Sequence, residues 1–316
     1  MSYIPLAGLS LRDIEYVVAV DDLRNFSRAA ERCGVSQAGL SEQVRKLEQL
    51  LDVTLFERSR RHVAPTPEGE RLITLGREVL AAARNLLEVA RARCSPLDGI
   101  LRLGVIPTLG PYYIPSLLPQ LRHKYPQLSL QLTEGMTDII VRQLRGGELD
   151  LALMALPAPT DTLETVPLFN EAFLGVFPST HELAHHKTLK LQQLGRHDLL
   201  LLEDGHCLRD QALSLCTALP RPREGSSNPR LATSLEMLWY MIGAGEGFSL
   251  IPQLALQNRS NFQNLVRIRS FTEAEAQRTI GLAWRRSDPR AEVFRRLAHF
   301  LRETTPEPCT PYPSAP

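Results

Sequence analysis

A chain of 316 residues is long enough for about two domains of ~150 residues each. Its 36 Lys and Arg against 35 Asp and Glu leave a net charge of +1, and 43% hydrophobic with 22% charged residues is an ordinary globular composition, so charge alone names no partner. The opening stretch MSYIPLAGLSLRD has no basic segment leading into an apolar one, and no apolar run approaches the ~18 residues of a membrane helix. The expectation is a cytoplasmic chain with no secretory signal and no membrane partner. In that reducing setting the five cysteines (33, 94, 207, 216 and 309) are not a structural disulfide set, and a pair that oxidises is catalytic or redox-sensing.

Ser10-Leu11-Arg12-Asp13 is an N-cap with an acid three residues on, and Ile14, Val17 and Val18 follow as the inward face of a first helix. A second helix begins at Ser27 in FSRAAERCG, with Ala29, Ala30 and Cys33 inward and Gly34 ending it. The third starts at Ser36 and runs SQAGLSEQVRKLEQLL, burying Leu40, Val44, Leu47 and Leu51 on one face. Two short helices about a Gly-containing turn make a helix-turn-helix. DVTLFERS and RRHVAPT then read as two strands of a wing around a basic turn. Thr66 caps a helix with Pro67 at its first position, where Leu72, Leu75, Val79, Ala82, Leu86 and Val89 form the a/d seam of a coiled coil, which implies a dimer.

CSPLDG, residues 94–99, breaks that helix as a hinge. The strand ILRLGVIPT, the helix IPSLLPQLRHKYP, the strand LSLQLTEG, the helix TDIIVRQLRGGE and the strand LDLALMAL follow in order. This alternation indicates an α/β domain with a parallel sheet, whose ligands sit beyond the strand carboxyl ends, where Thr108 and Thr137 fall. GVFPS, DLLLLE, GFSLIP and TIGLAW continue the strand series. The tail from Thr304 has five prolines in 13 residues and is expected to be disordered.

On the third helix Ser36, Gln37, Ala38, Ser41 and Arg45 lie at its start or away from its apolar stripe, where side chains reach base edges in a major groove. Arg58, Arg60, Arg61 and His62 on the wing suit phosphates. Residues 1–66 hold nine basic and nine acidic side chains, so any basic footprint is local. The run FSRAAERCGVSQAGLSEQVRKLEQLLDVTLFERSRRHVAPTPEG resembles the DNA-binding domain of LysR-type transcriptional regulators, and the similarity extends over about residues 9–303. It implies a winged helix-turn-helix at 9–66, a dimerising linker helix at 67–93, the hinge at 94–99 and a redox-sensing regulatory domain at 100–303. That α/β effector domain would resemble a periplasmic binding protein, with subdomain I at about 100–170 and 275–303 and subdomain II at about 171–274. Residues 304–316 stand apart as the disordered tail. One departure is Ala38, where the family usually has proline, which leaves the base contact there open.

In EDGHCLRDQALSLC, Cys207 opens a helical stretch, where backbone N–H groups favour a thiolate. His206 and Arg209 help if cationic, whereas Glu203 and Asp204 oppose. Cys216 lies nine positions on, which is ~13.5 Å of helical rise. A disulfide needs Cα atoms roughly 4.4 to 6.8 Å apart. The two sulfurs therefore cannot join while the helix persists. Read from the residues alone, the pair is either two unrelated helical thiols, Cys216 facing a core, or a switch that unwinds its own segment.

LLLLEDGHCLRDQALSLC is very similar to the sensing segment of the OxyR-type hydrogen-peroxide regulators, a subgroup of the LysR family, and IPTLGPY, ATSLEML and QRTIGL match at the corresponding places. The similarity implies that Cys207 is the peroxidatic thiol and that Cys216 resolves its sulfenic acid to a disulfide. It further implies that Thr108, Thr137, His206, Asp210 and Arg278 surround the reacting groups, with no cofactor and no metal. Cys33, Cys94 and Cys309 read as core, hinge and tail thiols. His181-Glu182-Leu183-Ala184-His185 fits HExxH, but Pro178 and the preceding strand argue against the helix a zinc protease needs. Gly243-Ala-Gly-Glu-Gly247 runs from helix to strand, the reverse of a phosphate loop.

The expected protein is a peroxide-responsive transcription regulator, not an enzyme. Its expected partners are promoter DNA, hydrogen peroxide, further copies of itself as a homodimer or homotetramer, and RNA polymerase. Two rivals stand beside it: a LysR-type regulator whose cleft takes a small organic anion, and a thiol peroxidase or Cys–His hydrolase.

Overall fold

A computed structural model describes residues 8–58, 63–91, 97, 99–158, 162–194, 199–215, 231–257 and 264–313. The chain divides into two compact units, Met1–Arg93 with Arg145–Glu148, and Cys94–Leu144 with Leu149–Pro316.

In the first unit α1 (Leu11–Leu23) begins with a reciprocal capping box between Ser10 and Asp13. α2 (Phe26–Cys33) is capped by Asn25, two residues earlier than the serine expected to start it, because Asn25 Oδ1 accepts the Arg28 N–H at 3.0 Å. Gly34 ends α2 in the left-handed region at φ 67°, as its position implies. Ser36 caps α3 (Gln37–Leu51) by accepting the Gly39 N–H at 3.1 Å. Leu40, Val44 and Leu47 are buried together with Ile14, Val17, Ala29 and Ala30.

Leu51 departs from its expected burial and is 37% exposed. It is the last residue of α3, and the left-handed Asp52 turns the chain away there. β1 (Phe56–Arg58) and β2 (Val63–Pro65) pair antiparallel as the wing. Thr66 then caps α4 (Pro67–Arg91), accepting the Gly69 N–H at 2.9 Å. Ile73 and Leu80 of α4 enter the core, and buried Arg77 bonds Asp21 of α1 at 2.9 Å, whereas Leu75, Val79 and Leu86 are exposed.

The second unit starts with β3 (Gly99–Val105), α5 (Gly110–Lys124), β4 (Leu128–Glu134), α6 (Thr137–Arg145) and β5 (Leu151–Leu156). β4 and β5 flank β3 in parallel, as the strand–helix alternation predicts. The sheet is mixed, however, rather than wholly parallel. The 16-residue β6 (Leu163–Pro178) runs on from the first half of the sheet into the second. The short β7 (Thr188–Leu189), β8 (Leu201–Leu202), α7 (Cys207–Leu215), β9 (Leu231–Ala232), α8 (Leu235–Gly243), β10 (Ser249–Pro252) and β11 (Val266–Phe271) follow. β12 (Gln277–Arg285) then returns antiparallel to both β5 and β6.

Two buried clusters result. One gathers Leu101–Phe169 positions with Ile280, Leu282 and the inner face of α9 (Ala291–Glu303), and the other gathers Phe173–Val266 positions, including Leu208 and Ala212 of α7. No described helix is long and apolar enough to cross a membrane.

The tail corrects an expectation. Through residue 313 it is placed, and Thr310–Pro311 form β13, paired antiparallel with Asn170 and Phe169 of β6. Its prolines do not prevent this, because a strand at a sheet edge leaves one side of its backbone unpaired. A bulge supplies the other half of the reason. Pro167 pairs with Gly281 and Phe169 with Ile280, so Leu168 is the extra residue, and its carbonyl accepts the Tyr312 N–H at 2.9 Å.

Burial on α3 predicts two different costs. Leu40→Ala is expected to destabilise the helix-turn-helix unit by about 2–5 kcal/mol and Leu51→Ala by under about 1 kcal/mol, read by chemical denaturation of the full chain. Equal losses would contradict the assigned burial.

Candidate functional site

Two regions carry the residues singled out above. On α3, Ser36, Gln37, Ala38 and Arg45 are exposed and Ser41 is half-buried, on the side opposite the buried stripe. Arg45 pairs with Glu42 one turn earlier at 2.9 Å, both largely exposed, so the contact is weak and leaves the guanidinium able to re-pair. Ala38 offers a methyl group and no hydrogen-bonding atom. Arg58 ends β1, but its side chain, with Arg60, Arg61 and His62 of the wing, lies outside the described residues.

The thiol region is built where the two buried clusters of the second unit meet. Gly205 takes φ 95°, a conformation that favours glycine, and this turn delivers the chain into α7. Cys207 is the first residue of that helix and is partly buried. Its neighbour Leu208 packs in the second cluster, yet Cys207 itself packs against the first. The delivering loop also passes close to α6, since a Cβ on Gly205 would lie 3.7 Å from Met136 Cγ. Met136 directly precedes Thr137, which opens α6 and is half-buried.

His206 is 4% exposed, and both ring nitrogens are buried without a hydrogen-bond partner among the described residues. Burial pulls its pKa below the ordinary 6.5, offset in part by the Thr233 backbone and the Glu203 charge. His206 is thus a neutral imidazole near pH 7, and it does not supply the cation that would help Cys207. Arg209 faces Asp204 at 3.2 Å, and Asp210 is exposed on the first turn of α7. Cys216 lies outside the described residues.

Thr108 and Arg278 are brought into direct contact. Thr108 is buried beyond the carboxyl end of β3. Arg278 on β12 donates from Nη1 to the Thr108 hydroxyl oxygen and from Nη2 to its carbonyl, each at 2.9 Å. Its Nε donates to Glu171 Oε2 at 2.8 Å.

Glu171 is a residue that the sequence reading missed. It sits in an apolar stretch whose alternation resembles a solvent-facing charge, and its partner lies 107 positions away. Cys309 is also more than a tail thiol. It packs against the first cluster, and its pKa is pushed up to about 12 by burial and by the Glu171 charge, with Arg278 opposing. Cys33 flanks the first unit's core, where burial raises its pKa. Cys94 lies outside the described residues.

The HExxH run does not occupy an α-helix. His181 is the N-cap of a four-residue 3₁₀ turn, Glu182–His185, with its Nδ1 accepting the Leu183 N–H at 3.1 Å. Among the described residues no group of three or more His, Cys, Asp or Glu is placed to hold a metal ion. Gly243 is the last residue of α8, and Gly245 and Gly247 lie in the turn between α8 and β10.

A winged helix-turn-helix followed by an α/β unit whose own two clusters meet at a thiol is the make-up of a two-part DNA-binding regulator. The chain belongs to the LysR family: residues 11–70 match the bacterial regulatory helix-turn-helix proteins of that family and residues 95–306 match the LysR substrate binding domain. It is 38% identical over 294 residues, 93% of this chain and 95% of the other, to the DNA-binding transcriptional dual regulator OxyR of Escherichia coli K12. It superposes on a cysteine-to-aspartate variant of full-length OxyR from Pseudomonas aeruginosa with a TM-score of 0.73 at 35% identity, covering 98% of this chain and 99% of that one. An H2O2-bound cysteine-to-serine variant of Corynebacterium glutamicum OxyR gives a TM-score of 0.61 at 34% identity, covering 93% and 92%.

Two predictions follow from the site's electrostatics. Because the folded His206 pKa is lowered, the unfolded chain binds its proton first; the neutral ring's contribution is full above about pH 6.5 and is lost as pH falls through the folded value. Thermal unfolding between pH 7.5 and 5 is expected to show a smaller acid-side loss in His206→Gln than in the parent. An identical pH profile would contradict the assignment. With its pKa near 12, Cys309 is only about one part in ten thousand thiolate at pH 8. Iodoacetamide should therefore label Cys207 of the native chain while Cys309 reacts only after unfolding, as read by peptide mass mapping.

Proposed function

We propose that this chain is a peroxide-sensing transcription regulator in which Cys207 is the reacting thiol. The observation that carries the reading is Cys207 at the opening of α7, beside the buried His206 and at the meeting of both clusters. The first-turn N–H groups of α7 favour an anionic sulfur. The Cys207 thiolate attacks one peroxide oxygen, the O–O bond breaks, and the departing hydroxide takes a proton and leaves as water. Cys207 is then a sulfenic acid. The Cys216 thiolate attacks that sulfur, the S–O bond breaks, the departing hydroxide takes a proton and leaves as a second water, and a disulfide remains. Thr108, Thr137, the neutral His206 and Arg278 are the hydrogen-bonding groups assigned to the peroxide, and Asp210 to proton relay.

The helix sets the consequence. Cys207 to Leu215 is helical throughout, which places those two Cα atoms ~12 Å apart. One further Cα step is ~3.8 Å, so the two Cα atoms come within the roughly 6.8 Å that a disulfide allows only after α7 opens at one end. Oxidation is thereby converted into a change of fold in the sensing unit. Through the linker helix, whose exposed Leu75, Val79 and Leu86 suit a second copy, that change re-orients subunits of a dimer or tetramer. Contacts of Gln37, Ala38, Ser41 and Arg45 with promoter DNA, and of the regulator with RNA polymerase, change in turn. Peroxide is consumed stoichiometrically, not in turnover, and the site of action is the cytoplasm. The relatives' names, a peroxide-inducible gene activator among them, support the same reading.

A non-reducing peptide map before and after micromolar peroxide, beside promoter footprinting of both states, tests it. A peptide linking Cys207 to Cys216 and a changed footprint are expected, with both lost in Cys207→Ser. An unchanged response of Cys207→Ser to a small organic anion would replace peroxide sensing with ligand sensing.

A further inference from the structure

β6 passes from the first cluster of the second unit, at Phe169, into the second, at Phe173, and between those residues it carries a buried ion pair with β12. Glu171 on β6 and Arg278 on β12 stand directly opposite in the antiparallel register, and neither side chain is exposed. Two buried charges are tolerated where every polar atom is used well, and here nearly all are. Glu171 Oε1 accepts the Leu254 backbone N–H at 2.9 Å, at the start of the 3₁₀ turn Gln253–Leu256, while Oε2 takes Arg278 Nε at 2.8 Å. The carboxylate is thus held by the backbone on one side and fixes the roll of the guanidinium on the other. The two terminal nitrogens of Arg278 are left facing Thr108.

A threonine hydroxyl has one hydrogen and two lone pairs. When Arg278 occupies a lone pair of Thr108 Oγ1, the hydroxyl hydrogen must point away from the guanidinium and is free to donate. We infer that Glu171 is a positioning residue of the thiol site: by orienting Arg278 it makes Thr108 a committed hydrogen-bond donor to the reacting peroxide. As the O–O bond breaks, negative charge develops on the leaving oxygen, and a donor already aimed there stabilises it. The inference rests on the placement of Thr108 and Arg278 in the peroxide pocket. Glu171 itself touches neither thiol nor peroxide in this role.

The test compares two reagents on the full-length reduced chain. Hydrogen peroxide needs the oriented donor, whereas iodoacetamide needs only the Cys207 thiolate. In Glu171→Gln the carboxylate charge is gone and one amide must serve both Leu254 N–H and Arg278 Nε. The second-order rate of sulfenic acid formation at Cys207 is expected to fall roughly 10- to 100-fold, with the iodoacetamide rate unchanged. Glu171→Asp, which keeps the charge but is one methylene shorter, gives the same split with a smaller fall and serves if the glutamine variant does not fold. An unchanged peroxide rate, or equal falls with both reagents, overturns the inference. A parent protein whose Cys207 shows no preference for peroxide removes instead the functional reading beneath it, and this is seen before either variant is compared.

Discussion

An α-helix holds residues at fixed spacing, and the proposed response of this chain depends on that rigidity. α7 runs unbroken from Cys207 to Leu215, so its ends are much farther apart than any disulfide allows. A bond reaching from Cys207 past the end of α7 competes directly with the helix's own hydrogen bonds. The reduced fold and the oxidised bond are mutually exclusive, which is the requirement for a two-state element. Had the same thiols faced each other one turn apart, oxidation would have left the fold largely as it was.

What lets so short a helix transmit anything is its position. Leu208 and Ala212 anchor α7 in one cluster, and Cys207 lies against the other. The same junction is crossed by β6, and the buried Glu171–Arg278 pair joins β6 to β12 there. Thr108, at the end of β3 in the first cluster, takes both remaining guanidinium nitrogens. The proposed chemistry and the architecture therefore share residues: groups that would orient peroxide also join β12 to β6 and to the end of β3. The proposed rearrangement of α7 would act where the first cluster meets the second.

Sequence patterns made the first unit legible because its signals are local. The Ser10–Asp13 capping box, Gly34 and Ser36 act within four residues, and the buried stripe of α3 follows from helical periodicity alone. Leu51 was misread because periodicity says nothing about where the chain turns after a helix. The long β6 was visible only as GVFPS, since Pro167 interrupts the pattern and is accommodated by a bulge opposite Gly281. That Gly281 is required there is itself a tertiary fact: a Cβ would come within 2.5 Å of Leu156 Cδ1. The ordered tail was hidden for the same reason, since its prolines say disorder while its partner strand lies about 140 residues earlier. Of the candidate site, Cys207 and His206 were marked by their position at a helix start. Thr108 and Thr137 were marked by their place beyond strand carboxyl ends, Asp210 and Arg278 came from resemblance, and Glu171 came from neither, because a long-range ion pair leaves no local signature.

Amide hydrogen exchange over residues 207–215, measured on the reduced and the peroxide-treated full-length chain, tests the central claim most directly. The account predicts that the α7 amides protected in the reduced chain lose that protection once the Cys207–Cys216 bond has formed. Protection that persists in molecules shown to carry this disulfide would contradict it, because the helix would then have survived the bond that geometry says it cannot accommodate.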